Sequence, residues 1–583
     1  MPSFSLDQGF WYSLTESLQP LVKLGSVVRV PLSGRRVRGF VVEVGERPPQ
    51  GLRPVAALSM APPIFDLGLL KVMQWAAQRY VAPLAVVLER ALPPNLVNSI
   101  PTSPDPPGEA PTIHPLAGLA VDSASGRRRP PVALIERFDH LEWMAAVAPP
   151  ILASGKSVMV VTATAPEADR LAQAAEAVVG EPAVSLIGPH RSDAENSRAW
   201  AEAQTGGRIV VGTPRVAGWS VNRLGLAVVV EEGRRAMKER QTPTVHVRDF
   251  LRMRGRTTRH NLAFVGPTPT LETLAGGASV VRASPRAWPP VEIVDRTQEP
   301  PTPGVIGHRA LNAVRAVAGR GGRIFVFAHR RGYAPAMRCE RCRTIRRCPK
   351  CGARPEPAPD CARCGQALGP CRDCGHERFV PLGAGVGRVT DEIKGLLGPS
   401  ALAEAGGPVT VGSEADIAGL NNLDLAVAVD ADGLILGSHF RAAEEALRVL
   451  ARLAGVVGSG GGRRALVQTS LPEHGVLRAL QRGDPMLFLE EELEERRRLR
   501  FPPASELVVV EMRGSIPPGA EAGLAEAAGP AAVMGPAHRP DERHRWLIQA
   551  DDLTRFRHEL RPLVQKWREA GTTVRIDTDP IDL

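Results

Sequence analysis

Cysteine is absent from nearly the whole chain, since all eight cysteines of the 583 residues lie between Cys339 and Cys374. A secreted protein held by disulfides would distribute them more widely, so this confinement argues against a disulfide framework. No apolar run approaches the roughly 20 residues that a membrane span requires. The N-terminus, MPSFSLDQGFWYSL, lacks the basic start and apolar core of a signal peptide. These absences predict a cytoplasmic protein with reduced cysteines and no membrane partner.

Lysine is also scarce, because it accounts for only seven of the 72 basic residues and the rest are arginine. The formal net charge is +10. Such an excess favours a polyanionic partner, most simply nucleic acid. A GC-rich genome would enrich arginine together with alanine, glycine and proline, so the charge alone is weak evidence for phosphate binding.

The cysteines form four Cys-x-x-Cys pairs, which are Cys339/Cys342, Cys348/Cys351, Cys361/Cys364 and Cys371/Cys374. Two intervening residues allow one tight turn to direct both thiolates at one ion, and two pairs complete a tetrahedral Zn²⁺ shell. Iron–sulfur ligation is an alternative, but four regular pairs favour two zinc ions. Thiolates fill every ligand position, so the predicted role is structural. The spacing leaves open whether neighbouring or nested pairs share an ion.

Apolar runs that alternate with helical stretches predict a multidomain α/β protein. Runs such as 157–164 and 226–232 are typical of buried parallel strands, and the helices between them indicate two doubly wound lobes. The predicted parts are a small β-rich domain (1–100), a Pro-rich linker (101–131), lobe one (132–295), lobe two (296–338 and 379–487), the cysteine insertion (339–378) and a C-terminal α+β domain (488–583).

The chain contains, in this order, the segments VRVPLSGRRVRGFVVEV, FAHRRGYAPAMRCERC, FRAAEEALRVLARLAG and DTDP. Together with the cysteine ladder, these segments resemble the PriA (primosomal protein N′) family of replication restart proteins. The resemblance implies an N-terminal domain that binds DNA 3′ ends, two helicase-like (RecA-like) lobes and two structural zincs. It also implies nested ligand sets, with Cys339, Cys342, Cys371 and Cys374 on one zinc and Cys348, Cys351, Cys361 and Cys364 on the other.

The segments that the family uses for ATP and Mg²⁺ are altered in this chain. The phosphate loop is replaced within VALIERFDHLEWMAAV (132–147), which has no glycine, lysine or threonine in the loop. The Asp-Glu-Glu-His motif stands as Val230-Glu231-Glu232-Gly233, and valine offers no oxygen to a hard cation. Both arginines of the Gln-x-x-Gly-Arg-x-Gly-Arg motif are missing from 452–459.

The tripeptide Gly155-Lys156-Ser157 mimics part of a phosphate loop. The first glycine of that pattern would be residue 150, which is Pro150, and a strand is predicted to follow the tripeptide in place of a helix. We therefore assign no cofactor-binding and no catalytic residue, and we do not expect ATP or Mg²⁺ as cofactors.

The resemblance implies that Phe10 stacks on the base at a DNA 3′ end and that Gly34 lets a backbone approach closely. Trp11 replaces an acidic residue of the family, and we expect it to fill the core more readily than to stack. Arg248 and Asp249 are expected to form an ion pair. Candidate phosphate contacts are Arg35, Arg36 and Arg38 on the hairpin and Arg341, Arg343, Arg346 and Arg347 beside the first zinc ligands. A solvated turn is the alternative reading of the hairpin arginines.

These observations predict a nucleoid-associated replication restart component, linked to DNA repair and recombination. It would bind stalled or abandoned forks and help reload the replicative helicase without unwinding DNA. By resemblance its partners are forked or single-stranded/double-stranded junction DNA, primosome proteins, single-strand-binding protein and the replicative helicase. One alternative is an active ATP-dependent 3′–5′ helicase with a divergent nucleotide site, which DNA-stimulated ATP hydrolysis would support. The other is a protein-binding scaffold without DNA contact, which absent or salt-insensitive DNA affinity would support.

Overall fold

A two-residue turn organises the N-terminal sheet. The computed structural model describes residues 9–46, 51–108, 113–137, 140–300, 304–329, 336–342, 344–352, 354–355, 358–361, 364–382, 385–437, 439–538 and 543–581. The sheet has the order β2-β1-β3 and consists of β1 (Val27–Leu32), β2 (Arg35–Phe40) and β3 (Ala57–Met60). Ser33 and Gly34 join β1 to β2 with φ values of 49° and 76°. Two positive φ values are what a type I′ hairpin turn requires, so the predicted hairpin is confirmed.

Two helices follow the sheet, α1 (Leu67–Arg79) and α2 (Leu84–Leu88). The carboxylate of Asp66 caps α1, because it accepts a hydrogen bond of 2.7 Å from the backbone N–H of Leu69. Pro83 occupies the N-cap of α2. Its missing N–H costs nothing there but would break a continuous helix, so this proline separates α1 from α2.

The first α/β sheet has seven strands in the order β10-β4-β9-β8-β5-β7-β6. Its helices and strands are α3 (Ala117–Ser125), β4 (Val132–Ile135), α4 (Glu142–Ala153), β5 (Ser157–Val161), α5 (Ala165–Val179), β6 (Val184–Ile187), α6 (Asp193–Ala203), β7 (Ile209–Gly212), β8 (Leu224–Val230), α7 (Val247–Thr258), β9 (Asn261–Gly266), α8 (Leu271–Ala275) and β10 (Ser279–Arg282). Met159 and Val161 enter one hydrophobic core, and Val158 and Val160 enter the other. Burial on both faces is typical of a parallel sheet covered by helices.

Helix α3 lies inside the segment 101–131, which was predicted to be a linker. Its residues Leu119 and Ala120 are buried in the same core as α4. The many Pro, Ser and Arg residues around α3 favoured a linker in the prediction. A helix of nine residues is marginal by itself, so its formation depends on this tertiary contact.

The second α/β sheet has five strands in the order β11-β17-β16-β12-β15, and all four neighbouring pairs are parallel. The elements of this region are β11 (Val291–Asp295), α9 (His308–Ala318), β12 (Ile324–Phe327), β13 (Ala336–Cys339), β14 (Phe379–Leu382), α10 (Val386–Leu397), β15 (Val409–Gly412), β16 (Leu425–Ala428), α11 (Asp432–Ile435), α12 (Ala442–Gly455), β17 (Arg464–Thr469), α13 (Gly475–Arg482) and α14 (Met486–Leu499). The cysteine segment begins at β13 and ends at β14, which pair antiparallel with Cys339 opposite Phe379.

Strand β11 corrects the predicted end of lobe one at residue 295. It pairs in parallel with β17, with Val291 opposite Ala465 and Asp295 opposite Thr469, so it belongs to the second sheet. A short alternating strand carries no local signal for the sheet that it will join, because the partner strand is more than 160 residues away in the chain.

The C-terminal region is an α+β unit whose antiparallel sheet has the order β19-β20-β18-β21. Its elements are β18 (Glu506–Arg513), α15 (Ala520–Ala528), β19 (Ala532–His538), β20 (Arg543–Ala550), α16 (Thr554–Glu569) and β21 (Thr573–Thr578). In β21, the carboxylate of Asp577 and the backbone carbonyl of Thr578 accept hydrogen bonds from the ammonium of Lys238, which belongs to the first α/β region.

Two compact units result from this arrangement, and the predicted multidomain α/β fold is confirmed. Unit one comprises Met1–Leu134, His140–Ala283 and Arg496–Leu583, and unit two comprises Ile135–Asp139 and Ser284–Glu495. Within the described ranges, no helix combines the length and apolar character needed to cross a membrane.

Candidate nucleic-acid interface and metal centres

The N-terminal hairpin divides its arginines between two faces. Its register places Arg29 directly opposite Arg38, while Arg36 lies two residues from Arg38 on the same strand. Because side chains alternate along a strand, Arg29, Arg36 and Arg38 share one face, and Arg35 points to the other. All four side chains are exposed. We call the set Arg29, Arg36 and Arg38 the hairpin basic face.

Arg29 was not among the candidates taken from the sequence. Like charges directly opposite each other destabilise a strand pair. Among the described residues, no carboxylate forms an ion pair with Arg29 or Arg38. Counting outward from the Ser33–Gly34 turn would have revealed the pairing, because a two-residue turn determines the register of both strands. Glu89 interacts electrostatically with Arg38 and offsets part of the charge. The exposed positive charge that remains on the hairpin basic face would be stabilised by an anion.

The residues expected to meet a DNA end are accessible. The side chain of Phe10 is 47% exposed, whereas Trp11 is half-buried, and its role as a core or a stacking residue stays a prediction. No described atom lies within 4 Å of the position that a Cβ on Gly34 would occupy. The space above the turn is therefore open to a ligand.

The two hairpin faces give a matched test of DNA contact. We expect the double variant Arg36→Ala/Arg38→Ala to reduce the slope of log Kd against log [salt] by about 1.5, because each phosphate contact contributes about 0.7–0.9. Fluorescence anisotropy with a labelled 3′-ended oligonucleotide measures this slope. Arg35→Ala is the control on the opposite face and should change the slope by less than about half a unit. An equally large effect per residue of Arg35→Ala would contradict the assignment of the two faces.

The eight cysteines gather into two sets of four. The first set is Cys339, Cys342, Cys371 and Cys374, and the second is Cys348, Cys351, Cys361 and Cys364. The ligand atoms within each set lie within 4.8 Å of one another. This is the nested grouping that the resemblance implied, and the sequential grouping is not formed. The antiparallel pairing of β13 with β14 explains the grouping, because it brings the start and the end of the segment together.

The sulfur separations match a metal shell and not a disulfide. The Sγ atoms of Cys339 and Cys374 are 3.5 Å apart, and those of Cys351 and Cys361 are 3.7 Å apart. A disulfide would place them about 2.05 Å apart. A regular tetrahedron with Zn–S bonds of about 2.3 Å has edges of about 3.8 Å. All eight cysteines are free thiols in the structure, so each set fits a tetrahedral thiophilic ion.

A glycine follows the second cysteine in three of the four pairs, and the sequence analysis did not single out these residues. Gly352, Gly365 and Gly375 have φ values of 67°, 69° and 71°. The N–H of each donates to the carbonyl of the first cysteine of its own pair, at 3.0, 2.8 and 2.8 Å. Positive φ favours glycine. The pattern Cys-x-x-Cys-Gly is therefore the local signal that predicts the turn directing both thiolates to one side.

The arginines around the first cysteines occupy different environments. Arg346 stacks its guanidinium 4.3 Å from the ring centroid of Phe379 and donates to the carbonyls of Leu368 and Gly369. Burial lowers the pKa of Arg346. Arg341 and Arg347 are exposed, and Arg343 lies outside the described residues. Arg346 therefore holds parts of the cysteine segment together. Contact of Arg346, Arg341 and Arg347 with DNA stays a prediction.

Lys156 is engaged in a structural contact. Its ammonium donates to the carbonyl of Ser123 at 2.9 Å. Burial and the nearby Arg223 lower the pKa of Lys156. Ser157 is the first residue of β5 and donates its hydroxyl to the carbonyl of Asn222 at 2.9 Å. No helix N-terminus follows the tripeptide, so it lacks the amides that hold a phosphate in a phosphate loop.

The connection from β4 to α4 also differs from a phosphate loop. The segment between Ile135 and Glu142 contains no glycine and no lysine. Glu142 lies in the first turn of α4. A carboxylate at a helix N-terminus already uses the favourable end of the helix dipole and repels a second anion.

The acidic pair that follows β8, Glu231 and Glu232, contacts neighbouring residues of the protein. Glu231 has a φ of 52° and lies 3.8 Å from Arg234. Glu232 accepts hydrogen bonds from the backbone and hydroxyl of Thr270 at 2.9 and 3.0 Å. Burial raises the pKa of Glu232. Val230 precedes them at the end of the strand and supplies no ligand atom.

The segment after α12 in unit two is the one that lacks both arginines of the Gln-x-x-Gly-Arg-x-Gly-Arg motif. Val456 and Val457 are fully buried. The backbone of Leu423 donates to the carbonyl of Val456 at 2.9 Å and accepts from the N–H of Gly458 at 2.9 Å. By the resemblance, Val456 and Ser459 stand where the motif has its two arginines. The backbone hydrogen bonds anchor the segment next to the start of β16.

Arg248 and Asp249 form the predicted ion pair, with 3.0 Å between Nε and Oδ1. Arg248 also contacts Glu272 at 3.2 Å. Although burial opposes ionisation, Arg248 holds the pKa of Asp249 well below its usual range. Burial and Arg248 together lower the pKa of His246 to about 3. The group therefore stabilises unit one and is not exposed to a ligand.

Comparison with known proteins links this geometry to a family. Residues 1–93 match the model of the PriA 3′DNA-binding domain. The chain is 29% identical over 503 residues to a probable replication restart protein PriA of Deinococcus radiodurans, and the match covers 75% of this chain and 53% of that protein. It is 26% identical over 565 residues to the Mycobacterium leprae protein of the same description, and the match covers 87% and 86%.

Similarity to solved structures is weaker. The chain aligns with RecG bound to a three-way DNA junction at 12% identity and a TM-score of 0.37, over 67% of this chain and 50% of that one. An alignment at this level carries no functional argument. The chain spans about half the length of the Deinococcus relative, so the activity of the whole relative is not transferred with the match. The domain match and the long alignments show that this chain is similar to PriA replication restart proteins over most of its length.

Proposed function

We propose that this protein binds stalled or abandoned replication forks and helps reload the replicative helicase without a motor of its own. The observation that carries the proposal is the N-terminal domain, in which residues 1–93 match a 3′DNA-binding domain and the hairpin basic face is exposed. Exposed arginines and an accessible aromatic side chain in one domain suit a nucleic-acid end, because phosphates pair with guanidinium groups and bases stack on rings.

The residues at the nucleotide positions do not fit ATP and Mg²⁺. Lys156 donates to a backbone carbonyl, Glu232 is held by Thr270, and Val230 offers no oxygen. A phosphoryl-transfer site needs a phosphate cradle, a metal-binding carboxylate and cations for the transition state together. We therefore derive no hydrolytic step for this chain.

Two structural Zn²⁺ ions complete the proposal. The nested cysteine sets would hold one ion each, with four thiolates and no open position for water. Such ions supply folding energy to a segment that has little apolar material of its own. The exposed Arg341 and Arg347 beside the first set are the candidates for contact with a DNA backbone.

The protein partners that we propose are primosome proteins, single-strand-binding protein and the replicative helicase, at the nucleoid in the cytoplasm. Their support is the similarity of this chain to PriA replication restart proteins. A chain that recognises the fork but lacks a motor can contribute to restart only by bringing other components to the DNA. The recruited helicase would then supply the unwinding.

The decisive experiment measures fork binding and ATP hydrolysis in the same samples. We expect the zinc-loaded protein to bind a fork with a leading-strand 3′ end at the junction, with affinity that falls as salt rises. Hydrolysis should stay at background with and without the fork, and Lys156→Ala should change neither quantity. Fork-stimulated hydrolysis that Lys156→Ala or Glu231→Ala abolishes would overturn the motorless assignment. Absent or salt-insensitive DNA binding would favour a protein-binding scaffold.

A further inference from the structure

One edge of the first α/β sheet carries a row of exposed arginines. Arg127, Arg128 and Arg129 precede β4, and Arg223 immediately precedes β8. Arg256 lies in the last turn of α7, the helix that leads into β9. Because β4, β9 and β8 are neighbours in the sheet, the row follows three adjacent strands. We call these five residues the basic edge.

Direct contacts hold the segments of the basic edge side by side. The side-chain amide of Asn261, the first residue of β9, donates to the carbonyl of Arg127 at 2.9 Å, and its oxygen accepts from the N–H of Arg129 at 3.0 Å. A cavity of about 360 Å³ beside α7 is lined by Arg128, Arg129, Arg252 and Arg256. Arg252 is not part of the basic edge, because nearby carboxylates offset its charge.

Lys156 connects Arg223 to the arginines before β4. Its ammonium donates to the carbonyl of Ser123 at 2.9 Å, and a Cβ built on Gly126 would lie 3.1 Å from its Nζ. Burial and the charge of Arg223 lower the pKa of Lys156, and no carboxylate of the described residues acts on it. The positive charge therefore continues from the start of β4 to the start of β5.

Little negative charge offsets the basic edge. Asp122 accepts a hydrogen bond from Arg129 and lies 3.6 Å from Arg127. Among the residues that the structure describes, no carboxylate pairs with the other three arginines of the basic edge. The helices α3, α4 and α7 end here, and the C-terminal end of each contributes a partial charge of about −0.5. About half of the guanidinium charge therefore stays uncompensated.

The chemistry of the basic edge suits the backbone of double-stranded DNA. The segments 121–131, 154–156, 221–224 and 252–262 contain no Phe, Trp or Tyr. Surfaces that bind single strands combine basic groups with rings on which bases stack. A duplex keeps its bases stacked inside and presents its phosphates. Three neighbouring strands span about 10 Å, and a duplex carries roughly six charges over that length, at one per about 1.7 Å.

We propose that the basic edge binds the phosphate backbone of a duplex arm of the fork without reading its sequence. The proposal rests on the proposed function in one respect, namely that the chain is brought to a fork by its N-terminal domain. The hairpin basic face and the basic edge belong to the same compact unit. A chain held at a 3′ end therefore meets the adjoining duplex at a high effective concentration. An acidic protein segment is the competing partner that the experiment must exclude.

The first experiment measures the fluorescence anisotropy of two labelled ligands, a fork with a duplex arm and a 3′-ended single strand, over a series of salt concentrations. The edge triple variant carries Arg128→Ala, Arg223→Ala and Arg256→Ala. For the fork we expect it to reduce the slope of log Kd against log [salt] by about 2–3, because each B-DNA phosphate contact contributes about 0.9. For the single strand the slope should change by less than about half a unit. Equal reductions for both ligands would contradict the assignment to a duplex.

Two matched variants separate this contact from net charge and from misfolding. The control triple variant removes the same charge from exposed positions of α6, α9 and α13 through Arg198→Ala, Arg315→Ala and Arg482→Ala. It should leave the fork slope within about half a unit of the unaltered chain. Lysine at the three edge positions should retain most of the slope, since counterion release depends on charge. A control triple variant with as large a reduction as the edge triple variant would overturn the proposal.

A closed dumbbell duplex separates a failure of this inference from a failure of the proposed function, because it has no 3′ end. Dumbbell binding that the edge triple variant loses supports the basic edge, whatever the N-terminal domain does. Fork binding that depends on Arg36 and Arg38 but is unchanged in the edge triple variant would overturn the inference and leave the proposed function intact. An edge triple variant that keeps its DNA affinity but loses binding of a polyglutamate peptide would assign the basic edge to an acidic protein and overturn the proposal.

Discussion

Replacing Cys361 with serine should reduce the zinc content of the purified protein from two ions per chain to one. Cys361 is 2% exposed, and its Sγ lies 3.7 Å from that of Cys351 within the second set. A Cys₃Ser site loses a strong thiolate ligand, and zinc-finger sites derive about 10–16 kcal/mol of folding energy from their metal. The turns that end at Gly352 and Gly365 should then lose their order. The first set should keep its ion, because β13 and β14 still hold its cysteines together.

Elemental analysis by plasma mass spectrometry, with limited proteolysis of the cysteine segment, checks this result. Ala367→Ser is the matched control, since it introduces the same hydroxyl at an exposed position of the same segment. It should keep both ions and the original cleavage pattern. Two ions in Cys361→Ser would contradict the ligand assignment, and iron in the unaltered protein would contradict zinc.

Replacing Lys238 with methionine should strongly destabilise the attachment of β21 in unit one. The ammonium is 4% exposed and contacts Oδ1 of Asp577 at 2.5 Å. It also donates to the carbonyls of Thr578 and Asp579 at 2.7 and 2.6 Å. Methionine preserves the bulk but leaves Asp577 with only the half-exposed Arg575, at 2.9 Å. Removing one partner of a buried ion pair costs about 3–5 kcal/mol, because the other charge stays buried.

Native-state hydrogen exchange measured by mass spectrometry follows this loss locally. Protection of the amides of β21 (Thr573–Thr578) should fall by about two to three orders of magnitude. The double variant Lys238→Met/Asp577→Asn should recover part of the protection, because it removes the carboxylate charge that Lys238 no longer neutralises. Lys566→Met, at an exposed position of α16, is the control and should leave exchange unchanged. Protection that stays within about tenfold in Lys238→Met would show that the pair contributes little.

The cysteine sites show which features of a metal centre the sequence could predict. Cys-x-x-Cys spacing predicted two four-thiolate sites from local geometry alone, since each pair lies within one turn. The grouping of pairs depends on which distant segments meet. Only the pairing of β13 with β14 decided it, and the recognised family resemblance had implied the same result. The glycines after three pairs were readable from the sequence and were overlooked.

The hairpin and the cavity beside α7 show what the sequence did not reveal. The hairpin was predicted, and the register set by its Ser33–Gly34 turn placed Arg29 opposite Arg38 and separated Arg35 from them. The cavity joins Arg128, which precedes β4, with Arg252 and Arg256 of α7, which come more than 120 residues later in the chain. No local pattern connects such residues, because their meeting is a property of strand order in the sheet.

The sequence by itself determined the elements whose cause is local: the metal-ligating pairs, the hairpin and the break between α1 and α2 at Pro83. Only the tertiary structure decided that β11 joins the second sheet, that α3 is a helix within the expected linker, and that Lys238 and Lys156 are held by buried or backbone partners. Turn geometry and ligand spacing act over a few residues. Sheet order, burial and charge compensation depend on segments that meet only after folding.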